Sequence, residues 1–209
     1  MKPLLALLVL VAVIAAGCGG SKSAPATTVT TAAATPTTTP TTTTTASASP
    51  SPLQAEAKAA ATGDVPDNQV FLRFADRAAG YSMKYPEGWA KQGAGSTVTI
   101  RDKNNIVRIV VKPGGAATSA GAKHDLAAVT GATITSGPAS TTISGHPAVK
   151  VTYTTRSAAN AVTGKRLTLV VDRYYLSHGG KLAIVDLGTP QGVDNVDAYR
   201  LMIESFTWR

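Results

Sequence analysis

The chain has 209 residues, with 20 Lys and Arg against 12 Asp and Glu, a formal net charge of +8 and one cysteine. A single cysteine excludes an intramolecular disulfide and any thiolate-rich metal centre. The positive balance points toward anionic partners in general, and the first residues decide which of those the protein can meet.

Met1-Lys2-Pro3 precedes thirteen apolar residues, Leu4 to Ala16. As a helix this run spans roughly 20 Å, short of a bilayer core of about 30 Å. One cation, a short apolar run and small residues at its end predict a secretion signal over residues 1–17. The stretch "AAGC", Ala15 to Cys18, is similar to the lipobox of bacterial lipoproteins. The resemblance implies that the Cys18 thiol takes a diacylglyceryl group and that Cys18 becomes the acylated mature N-terminus. A disulfide lacks a partner, a metal site lacks further ligands, and a catalytic thiol lacks a structured pocket here. The expectation is a lipid anchor, palmitate-type chains included, on the extracytoplasmic face of a bacterial cell membrane.

Residues 18–68 read as a disordered tether rich in Thr, Pro and Ala; from Thr27 to Thr45, thirteen of nineteen residues are threonine. Such a stretch has too little apolar bulk to offset the entropy of ordering it. It is also a candidate for O-glycosylation. A coil of some fifty residues reaches about 40 Å, and about 150 Å when fully extended.

Residues 69–209 are expected to form one domain, since about 140 residues can enclose a core. They carry 17 Lys and Arg against 9 Asp and Glu, the positive residues spread singly along the chain except for the adjacent pair Lys165-Arg166. "VFLRF" (70–74) and "YSMKY" (81–85) alternate as strands do, and Trp89 is expected inward. "STVTIRD" and "NIVRIVVK" predict a hairpin through Asp102 to Asn105. "PGGAATSAG" is a loop and "AKHDLAAVT" (122–130) a short helix. Two strands follow within residues 132–156. In "GKRLTLVVDRYYLSHGGKLAIVDLGTP" the strand from Leu167 puts Leu169, Val171, Arg173 and Tyr175 on one face and Val170, Asp172 and Tyr174 on the other. "SHGG" makes the turn. A last helix, capped by Asp194 with Asp197 three residues on, sets Val196, Tyr199, Met202, Ile203 and Phe206 along one face. The fold class is α+β: a twisted antiparallel sheet packed by a C-terminal helix and a shorter helix.

"AAGYSMKYPEGW", "ISGHPAVKVTYTT", "VVDRYYLSHGGKLAIVDLGTP" and "AYRLMIESFTW" together resemble the PsbP-like (Mog1/PsbP) fold, in particular exported bacterial lipoproteins of that group. The resemblance covers about residues 70–209. It implies the sandwich-like fold and, because its marks are structural rather than catalytic, argues against enzymatic activity; no cofactor or metal is expected.

The residues themselves offer little chemistry. His124, His146 and His178 are each alone in sequence, without metal-ligand spacing. Ser177-His178 adjacency gives no nucleophile–base geometry, and no G-x-S-x-G occurs. Asp172 and Asp186 sit in the two arms of one hairpin, where an acid–base pair would require joint burial; pairing with Arg173 or Lys181 at the surface is the plainer expectation. "KPGGAA" (112–117) lacks the Lys-Ser/Thr ending of a phosphate loop. Alternation puts Tyr174 and Tyr175 on opposite faces, so one of them, flanked by Arg173, is expected to be exposed as a candidate partner-binding surface.

These features describe a membrane-anchored, non-catalytic binding or accessory module for an unknown protein or anionic envelope component, with no role for nucleic acid. A carrier of a small apolar or amphipathic ligand is the second reading, and it calls for an unfilled apolar pocket between sheet and C-terminal helix. An envelope hydrolase is the third.

Overall fold

A computed structural model describes residues 62–160 and 162–209. Cys18, the expected signal and most of the expected tether lie outside these residues. The strands are β1 (Phe71–Asp76), β2 (Tyr81–Pro86), β3 (Ala90–Ala94), β4 (Thr97–Asp102), β5 (Asn105–Pro113), β6 (Thr133–Ile143), β7 (His146–Arg156), β8 (Thr168–His178), β9 (Lys181–Pro190) and β10 (Thr207–Trp208). Helix α1 covers Ser119–Ala127 and α2 covers Val196–Glu204. Among the described residues, no helix is long and apolar enough to cross a membrane.

Seven strands form one antiparallel sheet in the order β3-β4-β5-β9-β8-β7-β6, and β1-β2-β10 form a second, smaller sheet. The predicted hairpins are present. The "SHGG" turn closes β8 on β9 with Gly179 at φ 54° and Gly180 at φ 73°, the left-handed backbone that a two-residue hairpin turn requires.

The period-2 alternation gives the large sheet two buried faces. On one, Val98, Ile100, Val107, Ile109, Tyr174, Leu176, Val185 and Leu187 pack with Tyr81 and Met83 of the small sheet and Tyr199, Met202, Ile203 and Phe206 from α2 and its C-terminal end. On the other, Val149, Val151, Tyr153, Leu169, Val171, Tyr175 and Ile184 pack under Ala122 and Leu126 of α1. Trp89 is buried as expected. The fold is α+β, a twisted antiparallel sheet with two helices.

Several local expectations need correction. Strand β3 has five exposed residues and no apolar alternation, so nothing in its sequence marked it. Helix α1 begins at Ser119, because Thr118 Oγ1 accepts from the Gly121 amide at its start. Both helices have nine residues, so neither is the shorter. At α2 the cap position is taken by Asn195, whose side chain bonds elsewhere; Asp194, the expected cap, still accepts from the Val196 amide at 3.2 Å, while Asp197 pairs with Arg200 at 2.6 Å instead of closing a capping box. Val196, expected on the buried stripe, is 70% exposed.

The Asn195 side chain makes no cap hydrogen bond because its polar atoms are engaged elsewhere. Its Oδ1 accepts from the Val65 amide at 2.8 Å, and its Nδ2 lies 2.9 Å from Thr189 Oγ1 and 3.1 Å from the Gly63 carbonyl. Asn105 Nδ2 also donates to Gly63 O. Residues 63–65, expected within the tether, are therefore fastened to the folded domain.

Candidate ligand pocket beside the second helix

Helix α2 starts only at Val196, so residues 191–195 loop over the ends of β8 and β9 without laying a helical face on them. A cavity of about 310 Å³ remains there. Val170, Tyr174, Leu187, Pro190, Val193 and Tyr199 supply apolar walls, and Lys150, Asp172 and Arg200 supply charged ones. Val170, Asp172 and Tyr174 reach the same cavity because they alternate along β8. Lys150 joins them because it lies opposite Tyr174 in the β7–β8 register.

The polar groups around the cavity are largely tied down. Lys150 Nζ sits 2.8 Å from Asp172 Oδ2 and 5.4 Å from the centre of the Tyr174 ring. Asp172 Oδ1 accepts from Thr152 Oγ1 at 2.7 Å. Tyr199 donates its hydroxyl to the Gly188 carbonyl at 2.6 Å, and burial holds its proton well above the usual tyrosine range. Burial alone would lower the Lys150 ammonium, but the hydrogen bond it donates to Asp172 and the neighbouring Tyr174 outweigh it, so its pKa stands above the ordinary lysine value. The arrangement offers an apolar hollow with an ion pair at its side. That suits recognition of an amphipathic molecule better than proton transfer.

A larger groove of about 740 Å³ runs between residues 64–68 and α2, with Asp64, Asp67, Asp194 and Asp197 among its walls. No three potential metal-ligating side chains converge among the described residues. The smaller cavity, floored by side chains of the sheet, is the better-formed binding element.

The sequence-derived surface candidates lie elsewhere, and their expected exposure is corrected. Arg173, Tyr174 and Tyr175 are 3%, 7% and 2% exposed, because α2 with the small sheet packs on one face of β8 and α1 on the other. Tyr174 is a wall of the cavity. Arg173 lies beneath α1. Its Nε and Nη2 reach the Asp186 carboxylate at 2.6 and 2.9 Å, and Nη1 reaches Asp125 at 3.2 Å. Burial opposes the guanidinium charge, but the Asp186 bonds prevail and raise its pKa. Burial pushes the Tyr153 and Tyr175 hydroxyls up to about 12.

Asp172 and Asp186 face opposite sides of the sheet, since Asp172 pairs in register with Leu187 and Asp186 with Arg173. They cannot share a proton. Asp186 does pair with Arg173 as expected, but in the interior. Ser177 Oγ accepts from the Ala117 amide at 3.2 Å. His124 stays apart on α1, whereas His146 and His178 come together, their ring centres 6.3 Å apart. Linear spacing could not reveal either this pair or the cavity, because both depend on how distant strands align.

Two carboxylates carry a pH dependence. Asp76 accepts from the Ala79 amide at 2.9 Å and from the Gly95 amide, which holds its pKa low against the opposing effect of burial. For Asp125 burial is the largest influence and acts upward, but Lys112 at 3.0 Å, Tyr175 and Arg173 bring the net value below the ordinary aspartate range. Lowered folded-state values mean stability that is complete above the unfolded value of about 3.9 and lost as pH falls through the folded values. The urea midpoint is therefore expected to hold above about pH 4 and to drop below it. Asp125→Asn should flatten that drop, and an equally steep fall in the variant would remove Asp125 from the account.

The domain has the PsbP-like architecture. It is similar to the solution structure of cyanobacterial PsbP (CyanoP) from Synechocystis sp. PCC 6803, at 16% identity and a TM-score of 0.50, over 70% of this chain and 98% of that one. Weaker likenesses are to the Ran-binding protein Mog1p of Saccharomyces cerevisiae (10% identity, TM-score 0.40, 68% of this chain and 96% of that one) and to LpqN of Mycobacterium tuberculosis, described as involved in cell envelope biogenesis (15%, 0.37, 68% and 85%). No protein-family model and no curated protein matches the chain. At 16% identity the likeness to CyanoP establishes the fold alone.

Proposed function

We propose that the protein is a lipid-anchored, extracytoplasmic, non-catalytic binding module. In this reading residues 1–17 are a lipoprotein signal peptide, acylated Cys18 holds the mature chain to the outer face of a bacterial cell membrane, and the Thr-rich residues up to about 61 act as a tether. The domain then binds an envelope component or accessory protein partner. The cavity between β8, β9 and α2 is the observation that carries the binding role. It favours a small amphipathic envelope molecule, with its apolar part against Val170, Leu187 and Tyr199 and its polar end near Lys150 and Asp172. The separation of Asp172 from Asp186 counts against acid–base hydrolysis by that pair.

The test is in-cell crosslinking of the full chain followed by mass spectrometry of both proteins and extracted small molecules, with Cys18→Ser as control. A recurrent adduct on cavity residues, lost or reduced when the anchor is removed, supports the reading. A chain that is found in the cytoplasm, or that gives the same neighbours with and without Cys18, contradicts it.

A further inference from the structure

Two residues beyond Ala148 and Leu176 in the β7–β8 register, His146 and His178 lie opposite one another. Each is held by a tight turn: His146 follows the turn at Ser144 and Gly145, and His178 precedes Gly179 and Gly180. Both imidazoles are exposed, and their ring centres are 6.3 Å apart at an interplanar angle of 71°. An ion bound to one nitrogen of each ring at about 2.0–2.1 Å would place the ring centres about 4.5 Å apart for a right-angled pair and about 6.5 Å apart for a linear, trans pair, to which the 6.3 Å seen here is close. The observed spacing falls within that window without any movement of the strands.

We propose that His146 and His178 form a two-histidine site for a divalent transition metal, Cu²⁺ in preference to Zn²⁺. Two imidazoles, with no third metal-ligating side chain converging on them among the described residues, leave the other positions to water or to a ligand from solution, an arrangement that suits copper by both donor type and affinity order. Lys181, in register with His178, donates its Nζ to the Ala79 carbonyl at 3.0 Å. The Trp208 ring stacks on His178 with centres 6.1 Å apart, so it serves as a built-in reporter of metal at that imidazole.

The experiment titrates the full chain carrying Cys18→Ser, so that no thiol competes, with Cu²⁺ and separately with Zn²⁺. Trp208 fluorescence and calorimetry give affinity and stoichiometry, and electron paramagnetic resonance counts the coordinating nitrogens. One Cu²⁺ per chain with two imidazole nitrogens is expected, bound at least tenfold more weakly after His146→Ala or His178→Ala and unchanged after His124→Ala. Equal affinity in all three variants, a single coordinating nitrogen, or Zn²⁺ bound as tightly as Cu²⁺ would overturn the assignment.

Discussion

Arg173→Met is expected to cost about 3–5 kcal/mol of folding stability, measured by urea unfolding at neutral pH. Arg173 is the hub of a side-chain network beneath α1, and its removal leaves the Asp186 carboxylate, 6% exposed, without its ion-pair partner. Arg173→Lys should fall between, since a point charge cannot reproduce the fork that meets both Asp186 oxygens and Asp125. The pair Arg173→Met with Asp186→Leu should recover most of the loss, because apolar replacement of a buried ion pair removes the desolvation penalty of both groups. A loss below about 1 kcal/mol in the single variant, or no recovery in the double, would mean that the network does not fasten α1 to the sheet.

The second large effect belongs to the cavity. Anilinonaphthalene sulfonate, apolar rings with one anionic group, is expected to bind there with enhanced fluorescence. Val170→Trp places a large side chain in the hollow and should weaken dye binding at least tenfold. Val170 is half-buried beside open space, so the urea midpoint should move little. Lys150→Met should weaken the dye more modestly, with a stability change within about 1 kcal/mol, because the Lys150–Asp172 pair is partly solvated. Undiminished binding to Val170→Trp would relocate the dye to another surface and leave the carrier reading without its site.

Strand alternation told much of this in advance. Leu169, Val171, Arg173 and Tyr175 do share one face of β8, and Tyr174 does occupy the other, because side chains on a strand can point only two ways. What alternation does not report is what lies over each face. The expectation of an exposed tyrosine failed because α1 and α2 cover opposite faces, a fact set by loops rather than by β8 itself. Strand β3 was invisible because its five residues are all exposed and carry no apolar pattern. The fastening of Gly63 and Val65 was hidden for a different reason: it runs through two asparagine side chains 42 and 132 residues away from Gly63. The cavity and the histidine pair arise where separate strands meet, and single-chain spacing carries no record of either.

The seam between β5 and β9 has a consequence for how the chain becomes a domain. It joins the β3-β4-β5 half of the sheet to the β9-β8-β7-β6 half, and 68 positions separate Pro113 from its partner Lys181. As the polypeptide emerges from its N-terminus, the first meander can pair locally, yet β5 must wait with one bare edge until β9 arrives. Unpaired edges of this kind are where growing chains stick to one another. The last helix and β10 come later still, and they close the core over Tyr81 and Met83. Assembly of this sheet is therefore a late event, completed from the C-terminal end, and a chaperone that shields β5 in the interval would have a definite strand to hold.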